Sequence, residues 1–264
     1  MDKPRLLDRL REAIRVRHYS LRTEDAYSQW VRRFVLFHGK RHPNTLGETE
    51  IAAFLTDLAV NRNVAASIQN QALSAILFLY KQVLGRELDW LNHVTRAKRP
   101  RRLPVVLARE EGQRILDRLN GINGLLARLM YGTGIRAMES LQLHVKDIDF
   151  AYRQITIREG KGNKDRPAPL PATLVDLLQS HLGRVRDLHN RDLAEGFGTV
   201  YLPHALAVKY PRANREWSWL YVFPSTTRGR EPQSGEIRRH HWHDQNVQRA
   251  LCKAARYLSI KTLR

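Results

Sequence analysis

Residues 131–171 read YGTGIRAMESLQLHVKDIDFAYRQITIREGKGNKDRPAPLP and contain the most informative pattern in the chain. Gly132 and Gly134 permit a tight turn that a residue with a Cβ would strain. Arg136 follows that turn, and Glu139 comes three residues later on the same face of a predicted helix. The pattern therefore predicts an arginine fixed at a helix start. Four apolar residues are predicted to bury the segment behind it: Met138, Leu141, Leu143 and Val145.

The second half of the stretch predicts a β-hairpin with a cationic tip. Residues 154–158 alternate in polarity, and residues 160–165 have the composition of a hairpin turn. Lys161, Lys164 and Arg166 lie in or beside that turn. Together with Arg136 they suit a phosphate, which favours a bidentate guanidinium and nearby ammonium charge. Two plainer interpretations stay open here: a solvated hairpin tip, and an arginine that only pairs with Glu139.

The overall charge favours a polyanionic partner. The 264 residues include 45 Lys and Arg against 26 Asp and Glu, which gives a net charge of +19. Nucleic acid is the leading candidate for such a field, with an anionic membrane or an RNA-rich assembly as the alternative. The sequence shows no dominant basic amphipathic helix and no apolar run long enough to cross a bilayer. We predict DNA as the partner and no membrane association.

Composition also limits location and cofactors. The hydrophobic content of 42% is typical of a folded protein with one large or two small domains. The charged start lacks the apolar core of a signal peptide, so we expect a soluble, cytoplasmic protein. Cys252 is the single cysteine, which excludes an internal disulfide framework and a cysteine-based zinc cluster. We predict neither a metal nor a cofactor.

The ordered combination GTGIR-x-x-E-x-L-x-L, then DID, GKGNKDR and LP, closely resembles the first arginine box and the lysine hairpin of the tyrosine recombinases. The resemblance implies DNA strand transfer, with Arg136 as the first catalytic arginine. It implies that Lys161 protonates the leaving oxygen. From their charge beside the hairpin tip, we predict that Lys164 and Arg166 bind DNA. Near the end of the chain, Arg264 resembles the second catalytic arginine.

Two predicted domains flank a basic linker. Residues 1–96 show four amphipathic helical patterns, near 6–14, 23–38, 51–58 and 67–84, and resemble the SAM-like core-binding domain of the recombinases. The aromatic stripe of the second helix is predicted to be core, and it comprises Tyr27, Trp30, Phe34 and Phe37. Ile68 of the fourth helix is also predicted to be buried. Residues 97–104, AKRPRRLP, are either a solvated tether or a strap on the DNA backbone. Under the second interpretation the DNA-binding residues of the linker are Lys98, Arg99, Arg101 and Arg102.

Residues 105–264 are the predicted catalytic domain, which makes the fold mainly α with a small antiparallel β-sheet. Residues 108–119 predict a helix, and residues 170–188 predict a long one with Leu174, Leu177 and Leu178 on its apolar face. Pro167 and Pro169 remove two backbone donors, so the return strand of the hairpin is expected only at a sheet edge or as an irregular strand.

Residues 190–224 form an unusual segment in which aromatics, prolines and basic residues interleave. On an extended chain, Trp217 and Trp219 would share a face. Each is either a core plug or a surface on which an unpaired base stacks; we favour stacking for Trp219 and burial for Trp217. The run ALAVKYPRANREWSW followed by YVFPS closely resembles the extra segment of the integron integrases. The resemblance implies recombination at folded single-stranded and double-stranded cassette sites.

The run RRHHWH at 238–243 resembles the corresponding segment of integron integrases, which implies that His240 and His241 lie near the nucleic acid. A metal cluster is disfavoured, because adjacent histidines rarely converge on one ion. Lys261 stands where the family has a histidine before the second arginine, and no tyrosine follows Arg264. We therefore expect a C-terminally truncated recombinase that binds DNA without recombining it and self-associates weakly. The alternatives are a surviving recombinase, with Tyr257 recruited or the tail supplied elsewhere, and a basic structural DNA-binding protein.

Overall fold

The computed structural model describes residues 5–86, 106–158, 164–202, 204–231 and 234–260. The chain divides into two compact units, Met1–Leu103 and Pro104–Arg264. In these described ranges no helix combines the length and apolar character needed to cross a membrane.

Among its described residues, the first unit contains four α-helices: α1 (Leu6–Val16), α2 (Leu21–Phe37), α3 (Glu48–Thr56) and α4 (Ala66–Phe78). Single π-helical turns at Asp57–Asn61 and Leu79–Val83 extend α3 and α4. The start of α2 is set by Ser20, whose hydroxyl accepts a hydrogen bond from the N–H of Thr23. The core centres on Trp30, Val31 and Phe34. Two predicted core positions are wrong, since Phe37 and Ile68 are exposed.

The second unit begins with α5 (Arg109–Asp117), α6 (Gly121–Thr133) and α7 (Ala137–Leu141). It then forms an antiparallel sheet of β1 (Ile148–Asp149), β2 (Gln154–Ile157) and β3 (Arg166–Pro169), in that spatial order. Next come α8 (Ala172–Ala194), α9 (His204–Lys209), the hairpin β4 (Gly229–Arg230) and β5 (Ile237–Arg238), and α10 (Asp244–Tyr257). The predicted fold class, mainly helical with small antiparallel sheets, is confirmed.

The return strand β3 lies at the edge of the three-stranded sheet, as its prolines predict. Pro167 is opposite Thr156 and Pro169 is opposite Gln154, so β3 pairs with β2 on one side only. An edge strand tolerates missing backbone donors, which a central strand would not.

Helix α8 is longer than the predicted range because polar residues continue its buried face. His181, His189 and Asp192 are at least as well buried as Leu182. Polar residues are expected to face solvent when only the sequence is considered, so the predicted helix ends at residue 188 rather than at Ala194. Leu177 is exposed, contrary to prediction, and so is Met138 in α7.

The segment between α8 and β4 has a small core of its own, made of Val200, Leu202, Ala213 and Leu220. The residues Trp217–Trp219 form a 3₁₀ turn rather than an extended chain. Three residues complete a 3₁₀ turn, so side chains two apart diverge. The expectation that the two tryptophans share a face is therefore wrong.

Candidate nucleic-acid interface

Arg136 is the N-cap residue of α7. Helix α6 ends at Thr133, and Gly134 follows in the left-handed conformation at φ 67°. Arg136 is extended and caps α7, as the sequence predicts. Gly132 is different, since it lies within α6, where a Cβ would come 2.9 Å from Cγ of Pro171. It is needed for close approach rather than for the turn.

Glu139 holds two arginines from distant parts of the chain. Its carboxylate accepts hydrogen bonds from Nη1 of Arg136 and from Nη2 of Arg166, each at 2.8 Å. It also accepts the backbone N–H of Arg136 at 2.9 Å. Its side chain is 10% exposed, whereas those of Arg136 and Arg166 are 57% and 39% exposed. Arg136 therefore pairs with Glu139 and still reaches solvent, so its pairing leaves room for a second anionic ligand.

Glu139 is kept ionised by its arginine partners. Burial opposes ionisation, but the hydrogen bonds from Arg136 and the charge of Arg166 outweigh it and lower the pKa of Glu139. Each guanidinium has five N–H donors, so both arginines retain donors for a second anion. We refer to Arg136, Glu139 and Arg166 as the arginine clamp.

Asp147 fixes the base of the hairpin that follows β2. Its buried carboxylate accepts Nε of Arg158 at 2.7 Å and the backbone N–H of His144 at 2.9 Å. Burial opposes ionisation of Asp147, but the hydrogen bonds from His144 and Arg158 outweigh it and lower the pKa of Asp147. Lys164 is exposed on the return side of the hairpin.

Five aromatic and imidazole rings from three chain segments form a contiguous group. His144 stacks on Tyr221 with centroids 5.0 Å apart, and Trp219 meets His144 edge-on at 6.0 Å. Tyr221 contacts both His240 and His241, with centroids 5.5 Å apart in each case. The two imidazoles are 4.1 Å apart. We call these five residues the ring cluster.

The ring cluster combines predicted and unpredicted residues. Trp219, His240 and His241 are candidates from sequence, and the structure brings them together through His144 and Tyr221. His144 and Tyr221 are not among the site residues predicted from sequence, because their contact depends on an isolated antiparallel bridge between them. Burial raises the pKa of Tyr221 and lowers that of His241. The site is therefore neutral around His241 and Tyr221 at physiological pH.

The two tryptophans have different surroundings. Trp217 packs against the main core of the unit and lies under the guanidinium of Arg186, 4.7 Å from the ring centroid. Trp219 carries the ammonium of Lys146 over its ring, 2.7 Å from the centroid. Burial lowers the pKa of Lys146. Both indoles are partly buried, and Trp219 is the one that continues into the ring cluster.

Several predicted residues lie outside the described residues. They are Lys98, Arg99, Arg101, Arg102, Lys161, Lys261 and Arg264. Within the part of the chain that the structure describes, no group of three His, Cys, Asp or Glu residues is placed to hold a metal ion.

Comparison with solved structures supports the architecture. The lambda integrase(75-356) dimer bound to a COC′ core site matches with a TM-score of 0.59 at 15% identity, covering 95% of this chain and 76% of that one. The XerH site-specific recombinase bound to a palindromic difH substrate matches with a TM-score of 0.53 at 18% identity, covering 96% and 67%. At these identities the likeness shows the fold that this chain shares with site-specific recombinases.

Sequence comparison defines the family. Residues 6–90 match the family described as Phage integrase, N-terminal SAM-like domain, and residues 106–263 match the Phage integrase family. An Integrase/recombinase of Escherichia coli is 51% identical over 256 residues, covering 97% of this chain and 76% of that protein. An Integrase/recombinase of Pseudomonas aeruginosa gives the same figures. The chain belongs to the phage integrase family of tyrosine recombinases.

Proposed function

We propose that this chain is a recombinase of the integron-integrase type, which binds recombination-site DNA and receives bases that protrude from a folded single strand. The observation that carries the proposal is the ring cluster. Trp219 and Tyr221 come from the segment that resembles the integron integrases, and His240 and His241 come from a second segment with the same resemblance. The fold joins the two segments at one place.

The arginine clamp is the proposed phosphate site. Recombination in this family proceeds by two transesterifications through a covalent phosphotyrosine. Charge builds on the non-bridging oxygens at each step, and donors fixed in advance stabilise it. Glu139 fixes Arg136 and Arg166 before DNA arrives. Lys161 and Arg264 would complete the site, as proton donor and second arginine.

The ring cluster is the proposed base site. Stacking of an unpaired base on an aromatic ring contributes about 1–3 kcal/mol to binding and depends little on which base it is. His241 is neutral at physiological pH because burial lowers its pKa, so it suits stacking and hydrogen bonding better than phosphate binding. Phosphate binding falls instead to the arginine clamp, to Lys164, and to the linker residues Lys98, Arg99, Arg101 and Arg102.

Assembly of several copies on DNA is part of the proposal. The lambda integrase structures with this fold are a dimer on a core site and a tetramer on a Holliday junction. We propose that this chain likewise binds its site as more than one copy, with weak association in the absence of DNA.

We further propose that these 264 residues bind DNA without a covalent step of their own. Tyr257, the candidate for recruitment, lies 3.5 Å from the guanidinium of Arg118 by ring centroid, in the contact between α10 and α5. A nicked suicide substrate tests this proposal, because the broken strand traps any phosphotyrosine. We expect complexes that dissociate in denaturant. A covalent adduct that Tyr257→Phe abolishes would show that Tyr257 is the nucleophile.

Two hairpin DNAs with one common stem test the base site. One carries protruding bases and the other is fully paired, and both are titrated at the same salt concentration. We expect tighter binding of the hairpin with protruding bases. Equal affinity would favour the alternative, a basic DNA-binding protein that reads only the phosphate backbone.

A further inference from the structure

Asp192, near the end of α8, is a buried carboxylate bound by two arginines. Its side chain is 4% exposed. Arg239 donates two hydrogen bonds to it, from Nε at 2.6 Å and from Nη2 at 2.8 Å. Arg228 donates a third from Nε at 2.9 Å. Burial opposes ionisation, but the two arginines outweigh it and hold the pKa of Asp192 below its ordinary value.

Arg239 links this carboxylate to the imidazole pair, because it immediately precedes His240. Its Nη1 donates to the carbonyl of Ser225 at 2.9 Å. Ser225 in turn donates its N–H to the carbonyl of His240 at 2.7 Å. The backbone that carries the imidazoles is therefore fixed on one side to Ser225 and on the other, through Arg239, to α8.

Arg228 offers an internal comparison. It binds the same carboxylate, but it leads into the β4 hairpin rather than into the histidines. Its other partner is Glu195, which is 58% exposed, and its guanidinium lies 4.3 Å from the ring centroid of Phe197. Both arginines neutralise Asp192, whereas only Arg239 is continuous with the ring cluster.

We propose that Asp192, acting through Arg239, is a positioning residue that sets where His240 and His241 stand and so how strongly a protruding base is preferred. The inference rests on the proposed function, because it explains the selectivity of the same site. A bidentate guanidinium fixes direction as well as distance, which a lysine at the same place cannot do. Substitution by lysine therefore keeps the charge and removes the orientation.

The experiment compares Arg239→Lys with Arg228→Lys in the whole chain. The measured quantity is the ratio of dissociation constants for the fully paired hairpin and the hairpin with protruding bases. We expect Arg239→Lys to lower this ratio about fivefold, which corresponds to one hydrogen bond. Arg228→Lys should leave the ratio unchanged, and neither variant should change the affinity for the paired hairpin by more than about twofold.

A spectroscopic measurement separates positioning from general loosening. The imidazole ¹H–¹³C resonances of His240 and His241 should move in Arg239→Lys and stay in place in Arg228→Lys. If Arg239→Lys does not fold, Asp192→Asn replaces it and the same ratio is measured, with Arg228→Lys again as the control. Equal effects of the two arginine variants, or none, would overturn the inference.

The inference and the proposed function fail in different ways. A wild-type chain that binds both hairpins equally would refute the proposed base site and the positioning role together. A wild-type preference that Arg239→Lys leaves intact would refute only the role of Asp192.

Discussion

Replacing Glu139 with glutamine tests the arginine clamp through stability. The substitution keeps the volume but removes the charge that Arg136 and Arg166 share, and it weakens the hydrogen bond from the backbone N–H of Arg136. A hydrogen bond to a charged group is worth about 1.5–3 kcal/mol. Because both guanidiniums are well exposed to solvent, each ion pair is discounted to about 0.2–1 kcal/mol, and the backbone contact adds about 1 kcal/mol. We expect a loss of about 2 kcal/mol, or about 4–8 °C in Tm.

The assay is thermal unfolding of both proteins across a pH series. The folded pKa of Glu139 is depressed, so its contribution is fully present above the unfolded pKa of about 4.3 and is lost as the pH falls through the folded value. The difference in Tm should therefore be large at pH 7 and small in strong acid. Glu195→Gln is the control, since Glu195 is 58% exposed and its partner Arg228 keeps Asp192. No destabilisation at pH 7, or the same difference at every pH, would refute the reasoning.

Three further predictions concern DNA affinity and packing. Because the net charge is +19, DNA binding should need no added divalent ions, and the logarithm of the binding constant should fall steeply and linearly with the logarithm of the salt concentration. A flat dependence would contradict the interpretation of the linker as a phosphate-binding segment. Trp219→Ala should weaken binding to a hairpin with protruding bases by about 1–3 kcal/mol and leave the affinity for the paired hairpin unchanged. Trp217→Ala should lower the Tm and, at a temperature where the variant is folded, bind both hairpins as the parent does. A variant that loses affinity for both DNAs with an unchanged Tm would contradict both assignments. Gly132→Ala should lower the free energy of unfolding by about 1–3 kcal/mol because its Cβ meets Pro171. Gly183→Ala is the control, since no atom lies within 4 Å of the new Cβ, and it should stabilise α8 by about 0.5–1 kcal/mol. Equal Tm values for the two variants would contradict the contact between position 132 and Pro171.

Short-range sequence patterns predict the Arg136–Glu139 half of the arginine clamp. The Gly134 turn, the cap at Arg136 and the contact with Glu139 follow from residues within six positions of each other, where backbone conformation and helix periodicity decide the geometry. The edge position of β3 follows equally from its prolines, because a missing donor is tolerated there. These features follow from the residue types themselves, because glycine permits and proline restricts particular backbone conformations.

Long-range pairings are what local rules miss. Arg166 reaches Glu139 across 27 positions, and only the register of β3 on β2 determines that contact. His144 and Tyr221 acquire their role from an isolated bridge between distant segments. Burial of Asp192 depends on Arg239, 47 residues later. A polar residue whose partner lies that far away looks solvated in sequence, and for that reason the predicted end of α8 is too early.

The most direct test places 2-aminopurine at the protruding position of the hairpin. This base is bright when exposed to water and is quenched when it stacks on an aromatic ring. We predict quenching when wild-type protein saturates the hairpin, with loss of the quenching in Trp219→Ala. A probe that stays as bright in the saturated wild-type complex as in free DNA would contradict the claim that the ring cluster receives a base.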